Sequence, residues 1–279
     1  MNPVIIIDPG HGGRDYGGGS NKFWKEKNLN LRISLYQYQR YKELGIPVAM
    51  TRVNDKYLTS KQRAKIVRES GSKYCHSNHV NAGGGDGAEL IHSIYSDGRM
   101  ARDISKHLKE AGQNVRRVFT RTLSTNERRD YYFMHRDTGQ VETVIIEYGF
   151  ADSSLDDINQ LRTNWKDYAE AVVKGFCTSA GYNYHVSLKK SGDLPSLVPS
   201  LKYKLILPEN ADYWRVYPLD VTPIKGNEKG FLRPSKFGGL TYTVIGESQA
   251  YVYIIDTIDF GTVQIYAHSD TGATVKVDE

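Results

Sequence analysis

The chain has 279 residues, of which 39% are hydrophobic and 25% charged, and its formal net charge is +5. This composition is compatible with a soluble globular protein of one large or two ordinary domains. No apolar run approaches the ~20 residues that a membrane span needs, which excludes a transmembrane segment. Two cysteines, Cys75 and Cys177, are too few for a disulfide framework, and no cysteine-rich zinc cluster is present. We expect both to be buried free thiols.

The charge is distributed unevenly along the chain. Residues 202–279 hold 8 Lys and Arg against 10 Asp and Glu, a net charge of −2, and the remainder carries +7. A basic first part suits an anionic partner such as nucleic acid or a bacterial wall polymer. No groove-reading motif is visible, so nucleic-acid binding is disfavoured. The start also lacks the basic and apolar regions of a secretory signal, which predicts synthesis in the cytoplasm with no Sec route out.

Strand and helix patterns alternate through the first 180 residues. The predicted strands cover residues 4–7, 46–50, 73–78, 88–95 and 141–147, and the predicted helices cover residues 28–44, 59–69, 97–112 and 164–180. This alternation predicts parallel βα connections in a three-layer α/β domain, with a mostly parallel central sheet flanked by helices. The stretch 116–139 is rich in Arg and Tyr and has no dominant period.

The texture of the chain changes after this domain. Residues 183–201 contain a Lys-Lys-Ser-Gly-Asp run followed by two prolines, which is typical of a linker. Beyond it, short β-rich runs are separated by Gly, Pro, Asn and Asp, which predicts a small all-β barrel or sandwich. We therefore predict a domain at 1–182, a linker at 183–201 and a β-rich domain at 202–279.

Residues of zinc-ligand type occur at strand ends or loops in the first domain. His11 follows the buried run Val4–Ile7 within Asp-Pro-Gly-His-Gly-Gly, and the adjacent glycines leave room for a ligand to approach the imidazole. Glu26 lies at the start of the first helix, and His79 ends the third strand. Two imidazoles and one carboxylate leave a fourth position open, as in catalytic rather than structural zinc sites.

Each of these residues also has an ordinary structural interpretation. His11 alone is compatible with a turn cap, and Glu26 with a helix N-terminal charge favoured by the dipole. His76 competes with His79, because residues 75, 77 and 79 of a regular strand face one way and residues 76 and 78 the other. The remaining histidines, at 92, 107, 135, 185 and 268, are expected on the surface or on helix faces.

Glu147 ends a later strand after three buried aliphatic residues. A carboxylate in that position is costly unless it has a partner or a chemical task. Together with the two histidines and Glu26, it makes a chance arrangement improbable.

These residues carry a resemblance to the zinc-dependent N-acetylmuramoyl-L-alanine amidases of bacterial autolysins and phage endolysins. The matching segments occur in the family's order and cover nearly all of residues 1–181: Asp8–Gly13, Glu26–Leu31, Thr51-Arg52, Ser77–Ala82 and Glu147–Phe150. The resemblance implies that His11, Glu26 and His79 are the zinc ligands, in preference to His76, and that Glu147 is the catalytic carboxylate. Two departures, Asp152-Ser153 and Asn78, touch no implied ligand.

The resemblance also implies the reaction. The family cleaves the amide between the lactyl group of N-acetylmuramic acid and L-alanine in peptidoglycan, with Zn²⁺ activating water and Glu147 transferring protons. The basic, tyrosine-rich stretch 116–136 is a candidate for a groove wall, in which Arg121, Arg128 and Arg129 pair with stem-peptide carboxylates, although a solvated loop is at least as good an interpretation.

Residues 202–279 resemble, more loosely, the SH3-like barrels that end many endolysins and bind the wall. The favoured hypothesis is a phage endolysin that is released to act on the bacterial wall. The alternatives are a zinc peptidase that cuts within the stem peptide and a wall-binding protein without activity. The sequence does not determine the oligomeric state.

Overall fold

The computed structural model describes residues 2–185, 203–219, 221–249 and 251–277, and the chain divides into two units, Met1–Leu194 and Pro195–Glu279. Most of the predicted linker, residues 186–201, lies outside the described residues. The elements of the first unit, in chain order, are β1 (Ile5–Pro9), α1 (Glu26–Glu43), β2 (Val48–Met50), α2 (Ser60–Glu69), β3 (Tyr74–Asn81), β4 (Ala88–His92), α3 (Arg99–Glu110), β5 (Val115–Phe119), β6 (Thr122–Leu123), β7 (Asn126–Asp130), α4 (Phe133–Arg136), β8 (Glu142–Phe150), α5 (Asp157–Thr163) and α6 (Trp165–Ala180).

A six-stranded sheet in the order β2-β1-β3-β8-β4-β5 forms the centre of this unit. The first four strands of that order are parallel, whereas β4 runs antiparallel to β8. The expected mostly parallel sheet is therefore confirmed, but the expectation of parallel connections throughout is wrong. Only residues 82–87 join β3 to β4, and a parallel crossover needs a dozen residues or more.

Helices cover both faces of the sheet, and strand β1 shows why. Ile5 and Ile7 pack into one core with α1, α3 and α6, whereas Ile6 packs into a second core with α2 and α4. All three side chains are at most 1% exposed. A strand that is buried on both faces reads as a continuous apolar run, which is the pattern of Val4–Ile7.

The stretch 116–139, which has no dominant period, folds into short elements that were not predicted. It contains most of the edge strand β5, the β6–β7 hairpin and the single-turn helix α4. Asp130 is buried and anchors the end of the hairpin, because its carboxylate accepts hydrogen bonds from the Ser93 hydroxyl and the Ile94 amide. Helix α5 was also not predicted.

The structure shows where the cysteines and two of the remaining histidines of the first unit lie. Cys75 and Cys177 are buried free thiols, as expected. His107 on α3 and His135 on α4 lie on helices, which the expectation of surface or helix-face histidines includes, but both side chains are buried. His107 of α3 forms hydrogen bonds with Glu110 on the same helix and with Thr178 on α6, so it links the two helices. The sequence pattern did not indicate this link.

The second unit is built from strands and short 3₁₀ turns. Its elements are β9 (Tyr203–Leu207), β10 (Trp214–Val216), β11 (Gly230–Leu232), β12 (Leu240–Gln249), β13 (Val252–Thr257), β14 (Gly261–Tyr266) and β15 (Thr274–Val277). Five strands form an antiparallel sheet in the order β14-β13-β12-β9-β15, and β10 pairs with β11. The strands bury their own core, whose fully inaccessible side chains include Leu205, Ile255 and Ile265. The predicted all-β character is confirmed.

Candidate metal centre

The candidate site lies at the carboxyl ends of the neighbouring strands β1, β3 and β8. From β1 the chain moves outward to β2 and then returns to β3 on the other side, so β1 and β3 flank the point where the direction of winding reverses. Ligands of open α/β sheets bind at this kind of switch point. His11 follows β1, and His79 lies two residues before the end of β3.

Three side chains converge there, as the sequence predicted. One oxygen of Glu26, Oε1, lies 3.1 Å from His11 Nε2 and 3.0 Å from His79 Nδ1. The imidazole rings stand edge to face with their centroids 5.0 Å apart. One potential ligand atom from each residue lies within 4.8 Å of the others. Two imidazole nitrogens and a carboxylate oxygen in this arrangement fit the donor set of a catalytic zinc site.

Glu26 is held rigidly although it begins a helix. It is the first residue of α1, where the helix dipole favours a negative charge, and it is only 1% exposed. Its carboxylate accepts hydrogen bonds from the Gly19 amide at 2.8 Å and the Val80 amide at 3.2 Å. Burial raises the pKa of Glu26, but the bonds from His11 and His79 outweigh burial and hold the pKa well below its usual range.

His11 adopts the left-handed backbone conformation, with φ of 59°, which is rare for a residue with a side chain. Two buried arginines hold the loop in place. Arg63 donates to the carbonyls of Pro9 and His11, each at 2.8 Å, and Arg52 donates to the carbonyl of Gly10 at 2.8 Å. The surrounding structure thus over-determines a strained residue, as expected at a functional site.

Asp8 completes this support from inside the sheet. It is fully buried, and its Oδ1 atom lies 2.5 Å from Arg63 Nη1 and accepts a hydrogen bond from Thr51 at 2.6 Å. Ser77 donates to Oδ2 at 2.8 Å. Burial raises the pKa of Asp8, but the charge of Arg63 and these hydrogen bonds outweigh it, so the pKa is lowered.

The electrostatics of His11 follow from its two carboxylate neighbours. Its Nδ1 atom lies 2.9 Å from Asp15, opposite the contact with Glu26. Burial lowers the pKa of His11, but Glu26 and Asp15 outweigh burial and raise it to about 9. The carboxylates of Glu26 and Asp15 therefore give this cluster a negative electrostatic potential, which attracts positive charge. Asp15 was not predicted, and its spacing of four residues from His11 is the only sequence signal for it.

The structure separates the two histidines of β3 as strand alternation requires. His79 faces Glu26, whereas His76 is fully buried on the opposite face beside Tyr41 and Phe176. Burial lowers the pKa of His76 to about 3. A neutral imidazole in an aromatic core is a packing residue, so His76 is separated from the cluster.

Glu147 lies next to the cluster but is not at the end of its strand, because β8 continues to Phe150. It pairs in register with His79 on β3, which places both side chains on the same face of the sheet. Its Oε2 atom is buried and has no hydrogen-bond partner among the described residues. Burial raises the pKa of Glu147 to about 7, with the charge of Glu26 adding to the shift. These are the properties of a carboxyl group that exchanges protons near neutral pH.

The three arginines proposed as a groove wall have different positions. Arg121 lines a cavity beside the cluster, where it stacks on Tyr131 with 3.9 Å between the guanidinium carbon and the ring centroid. Arg128 and Arg129 are exposed on the β6–β7 hairpin and do not line that cavity. Arg116 and Arg117 also line it; they belong to the stretch 116–136 that is predicted to form a groove wall, although they are not among the three arginines predicted to pair with carboxylates.

Fold and site together define the class of protein: a three-layer α/β domain with a His-Glu-His centre at the switch point of its sheet. This chain belongs to the N-acetylmuramoyl-L-alanine amidase family, whose model matches residues 5–178.

Individual relatives agree with this assignment. A Listeria phage A511 endolysin is 45% identical over 73 residues, which are 26% of this chain and 21% of that protein. A sporulation-specific N-acetylmuramoyl-L-alanine amidase of Bacillus subtilis is 26% identical over 67% of this chain and 69% of its own length. The catalytic domain of the amidase CwlV from Bacillus (Paenibacillus) polymyxa has the same fold, with a TM-score of 0.56, 24% identity, and coverage of 65% of this chain and 99% of that domain. Among the described residues, no helix is long and apolar enough to cross a membrane.

Proposed function

We propose that this protein is a zinc-dependent peptidoglycan hydrolase that cleaves the amide between the lactyl group of N-acetylmuramic acid and L-alanine. The observation that carries the proposal is the convergence of His11, Glu26 and His79, with Glu147 beside them, in a chain of the amidase family. Peptidoglycan is the expected substrate, and no nucleic acid is required.

The three clustered residues would hold the cation. Their donor set fits Zn²⁺. In this structure the Glu26 carboxylate lies between the two imidazoles and contacts both. When bound, Zn²⁺ supplies Lewis-acid activation of the scissile carbonyl and of the attacking water. Asp15 beside His11, and the amides beside Glu26, orient the ligands from behind.

Glu147 performs the proton transfers. Its unpaired Oε2 atom is available to accept a proton from the attacking water, and it then delivers that proton to the nitrogen of the departing alanine. A raised pKa suits both steps, because the carboxylate must be ionised to accept the proton and acidic enough to return it.

The decisive test is digestion of purified peptidoglycan with and without a chelator. New L-alanine amino termini without new reducing sugar ends, formed only when zinc is present, are the expected result. Fragments cut within the stem peptide would instead identify a zinc peptidase, and mass analysis separates the two. Wall binding with no cleavage under any metal condition would contradict the proposal.

Glu147→Gln tests the proton-transfer role separately from folding and metal binding. The variant is expected to retain one zinc per chain, because Glu147 is not among the clustered ligands, and to lose about 10²–10⁴-fold in kcat. Metal analysis and turnover of a muramyl peptide give the two readouts. Glu69→Gln, at an exposed position of α2, is the control. Wild-type turnover by metal-loaded Glu147→Gln would exclude this role.

The biological setting is also proposed. Similarity to the Listeria phage endolysin supports a phage enzyme that is made in the host cytoplasm and acts on the wall after release. The second unit, with its antiparallel sheet and separate core, is proposed to be an SH3-like wall-binding domain at 202–279, joined by the linker to the amidase domain at 1–182.

A further inference from the structure

A cationic cavity of about 510 Å³ lies beside Glu147 on the same face of the sheet. Register places it there: Glu147 pairs with His79 on one side and with Glu89 on the other, and Glu89 pairs with Arg117 on β5. These four residues form a single row across β3, β8, β4 and β5. Both Glu89 and Arg117 line the cavity, so it continues directly from the catalytic row.

The charges in the cavity do not cancel. Glu89 is 2% exposed and lies 3.1 Å from Arg116 and 2.8 Å from Arg117, so one carboxylate is shared by two guanidinium groups. Arg121 adds a third positive charge. In the part of the chain that the structure describes, Arg121 has aromatic and hydroxyl contacts, with Tyr131 and Tyr132, but no ion pair with a carboxylate.

The position of the cavity fixes which part of a substrate reaches it. Glu89 and Arg117 lie two and three strand spacings from His79, or about 10 and 14 Å. An extended peptide advances about 3.3 Å per residue, so residues about three and four beyond the cleaved bond reach the cavity. Phe119 and Phe150 also line the cavity, and their rings can pack against the apolar parts of a bound peptide.

We propose that this cavity binds a carboxylate of the stem peptide, on the alanine side of the cleaved amide, and that Arg121 is the residue that recognises it. Arg121 is the favoured ligand because Arg116 and Arg117 already neutralise Glu89, and a planar guanidinium matches a carboxylate with two parallel hydrogen bonds. Tyr131, stacked on Arg121, keeps that guanidinium in place. The inference rests on the proposed amidase function and adds a specificity determinant to it.

The test uses two muramyl peptides that differ at one group, a free α-carboxylate or its carboxamide on the third residue of the stem. Binding of each to the full-length protein is measured by calorimetry, and kcat/KM is measured separately with zinc present. We expect tighter binding of the carboxylate form. In Arg121→Gln that preference falls about 10-fold or more, since a hydrogen bond to a charged group is lost, whereas binding of the carboxamide changes little. Arg128→Gln, on strand β7 of the adjacent hairpin and outside the cavity, is the matched control and leaves both unchanged.

The outcomes separate this inference from the amidase proposal. Equal binding of the two peptides by the wild type, or equal loss of both in Arg121→Gln, would overturn the role of the cavity even if the lactyl amide is cleaved. Discrimination in binding without cleavage would support the cavity and contradict the amidase function. Glycerol 3-phosphate serves as the probe for a wall-polymer phosphate. If it binds more tightly than the peptide and depends on Arg121, the cavity is a phosphate site and the carboxylate assignment is wrong.

Discussion

In the glycine-rich loop between β1 and α1, residues 10–25, some glycines lie too close to the candidate ligands to be replaced by a residue with a side chain. A Cβ atom on Gly10 would lie 2.2 Å from the His79 ring, and one on Gly19 would lie 1.9 Å from the Val80 carbonyl oxygen. Neither glycine is at a positive φ, so the requirement is for space beside the site and not for an unusual backbone. The loop packs against the ligands that it encloses, and a methyl group has no room there.

Gly10→Ala is therefore expected to displace the His79 ring and to weaken zinc binding by about 10-fold or more, since one of three ligands leaves its position. Zinc affinity by competition with a chelating dye, alongside the thermal midpoint, measures metal and fold separately. Gly18→Ala is the control, because nothing lies within 4 Å of a Cβ at Gly18. Unchanged zinc affinity in Gly10→Ala would show that His79 is not a ligand.

Asp8 links the stability of the domain to pH. Its pKa is lower in the folded protein than its ordinary value of 3.8, so its ion pair with Arg63 stabilises the fold above that value and is lost as the pH falls through the folded pKa. We expect Tm to fall as the pH drops from about 5 to below 3, and Asp8→Asn to remove part of this slope. The variant is also expected to lose about 3 kcal/mol at neutral pH, because Arg63 stays buried without its carboxylate.

Asp103→Asn provides the comparison for this measurement. Asp103 pairs with Arg99 at 3.8 Å on the surface of α3, where an ion pair contributes little. Its Tm profile should follow that of the wild type. Identical pH profiles for Asp8→Asn and the wild type would contradict the assignment of acid sensitivity to Asp8.

At the scale of elements, the helices α3 and α6 approach each other through a glycine. A Cβ on Gly175 of α6 would lie 2.5 Å from the Ile104 Cα of α3. The two helices therefore pack with their backbones nearly in contact. The Ile104 side chain is fully buried there, together with Phe176 and Leu108 in the larger core.

Gly175→Ala separates helix propensity from packing. Propensity alone predicts a gain of roughly 1 kcal/mol in the free energy of unfolding, because alanine favours a helix interior over glycine. The contact with the Ile104 backbone predicts a net loss of about 1–2 kcal/mol, since overpacking moves two helices apart. Urea denaturation decides between these two predictions. Glu69→Ala, at an exposed position of α2, is the control for a helix substitution without effect on packing. A stabilised Gly175→Ala would mean that α3 and α6 are not packed so closely.

At the scale of the whole molecule, the two units have separate cores and opposite net charge. The first unit carries the cluster of His11, Glu26 and His79 and the cationic cavity, and the second unit carries an antiparallel sheet with exposed aromatic side chains such as Tyr213 and Phe237. The proposed function assigns the chemistry to the first unit and attachment to the second.

Truncation after Leu194 tests that division. Because the first unit contains every proposed ligand and its own core, the shortened protein should cleave a small muramyl peptide with the kcat/KM of the full chain. On intact cell walls its rate should fall by about 10-fold or more, because local concentration on the wall is lost. Equal rates on intact walls would remove the wall-binding role from residues 202–279.

The sequence by itself determined most of the long strands and helices of the first unit, the all-β second unit, and the identity of the residues that converge. Continuous apolar runs, turn residues and strand alternation are local properties, and alternation correctly placed His79 and His76 on opposite faces. The family resemblance then selected His79 over His76.

Only the tertiary structure decided how strands that are distant in the chain, and elements without a periodic pattern, come together. The reversed direction of β4 and the Glu89–Arg117 row depend on strand pairing, and the buried Asp8–Arg63 pair depends on the packing of α2 against β1. No local pattern records either of these. The cavity at Arg121 depends on the hairpin that Asp130 anchors. Candidate ligands and catalytic residues can be recognised in a sequence because their residue types are distinctive. The residues that position them, and those that bind the substrate, are defined by their neighbours in space.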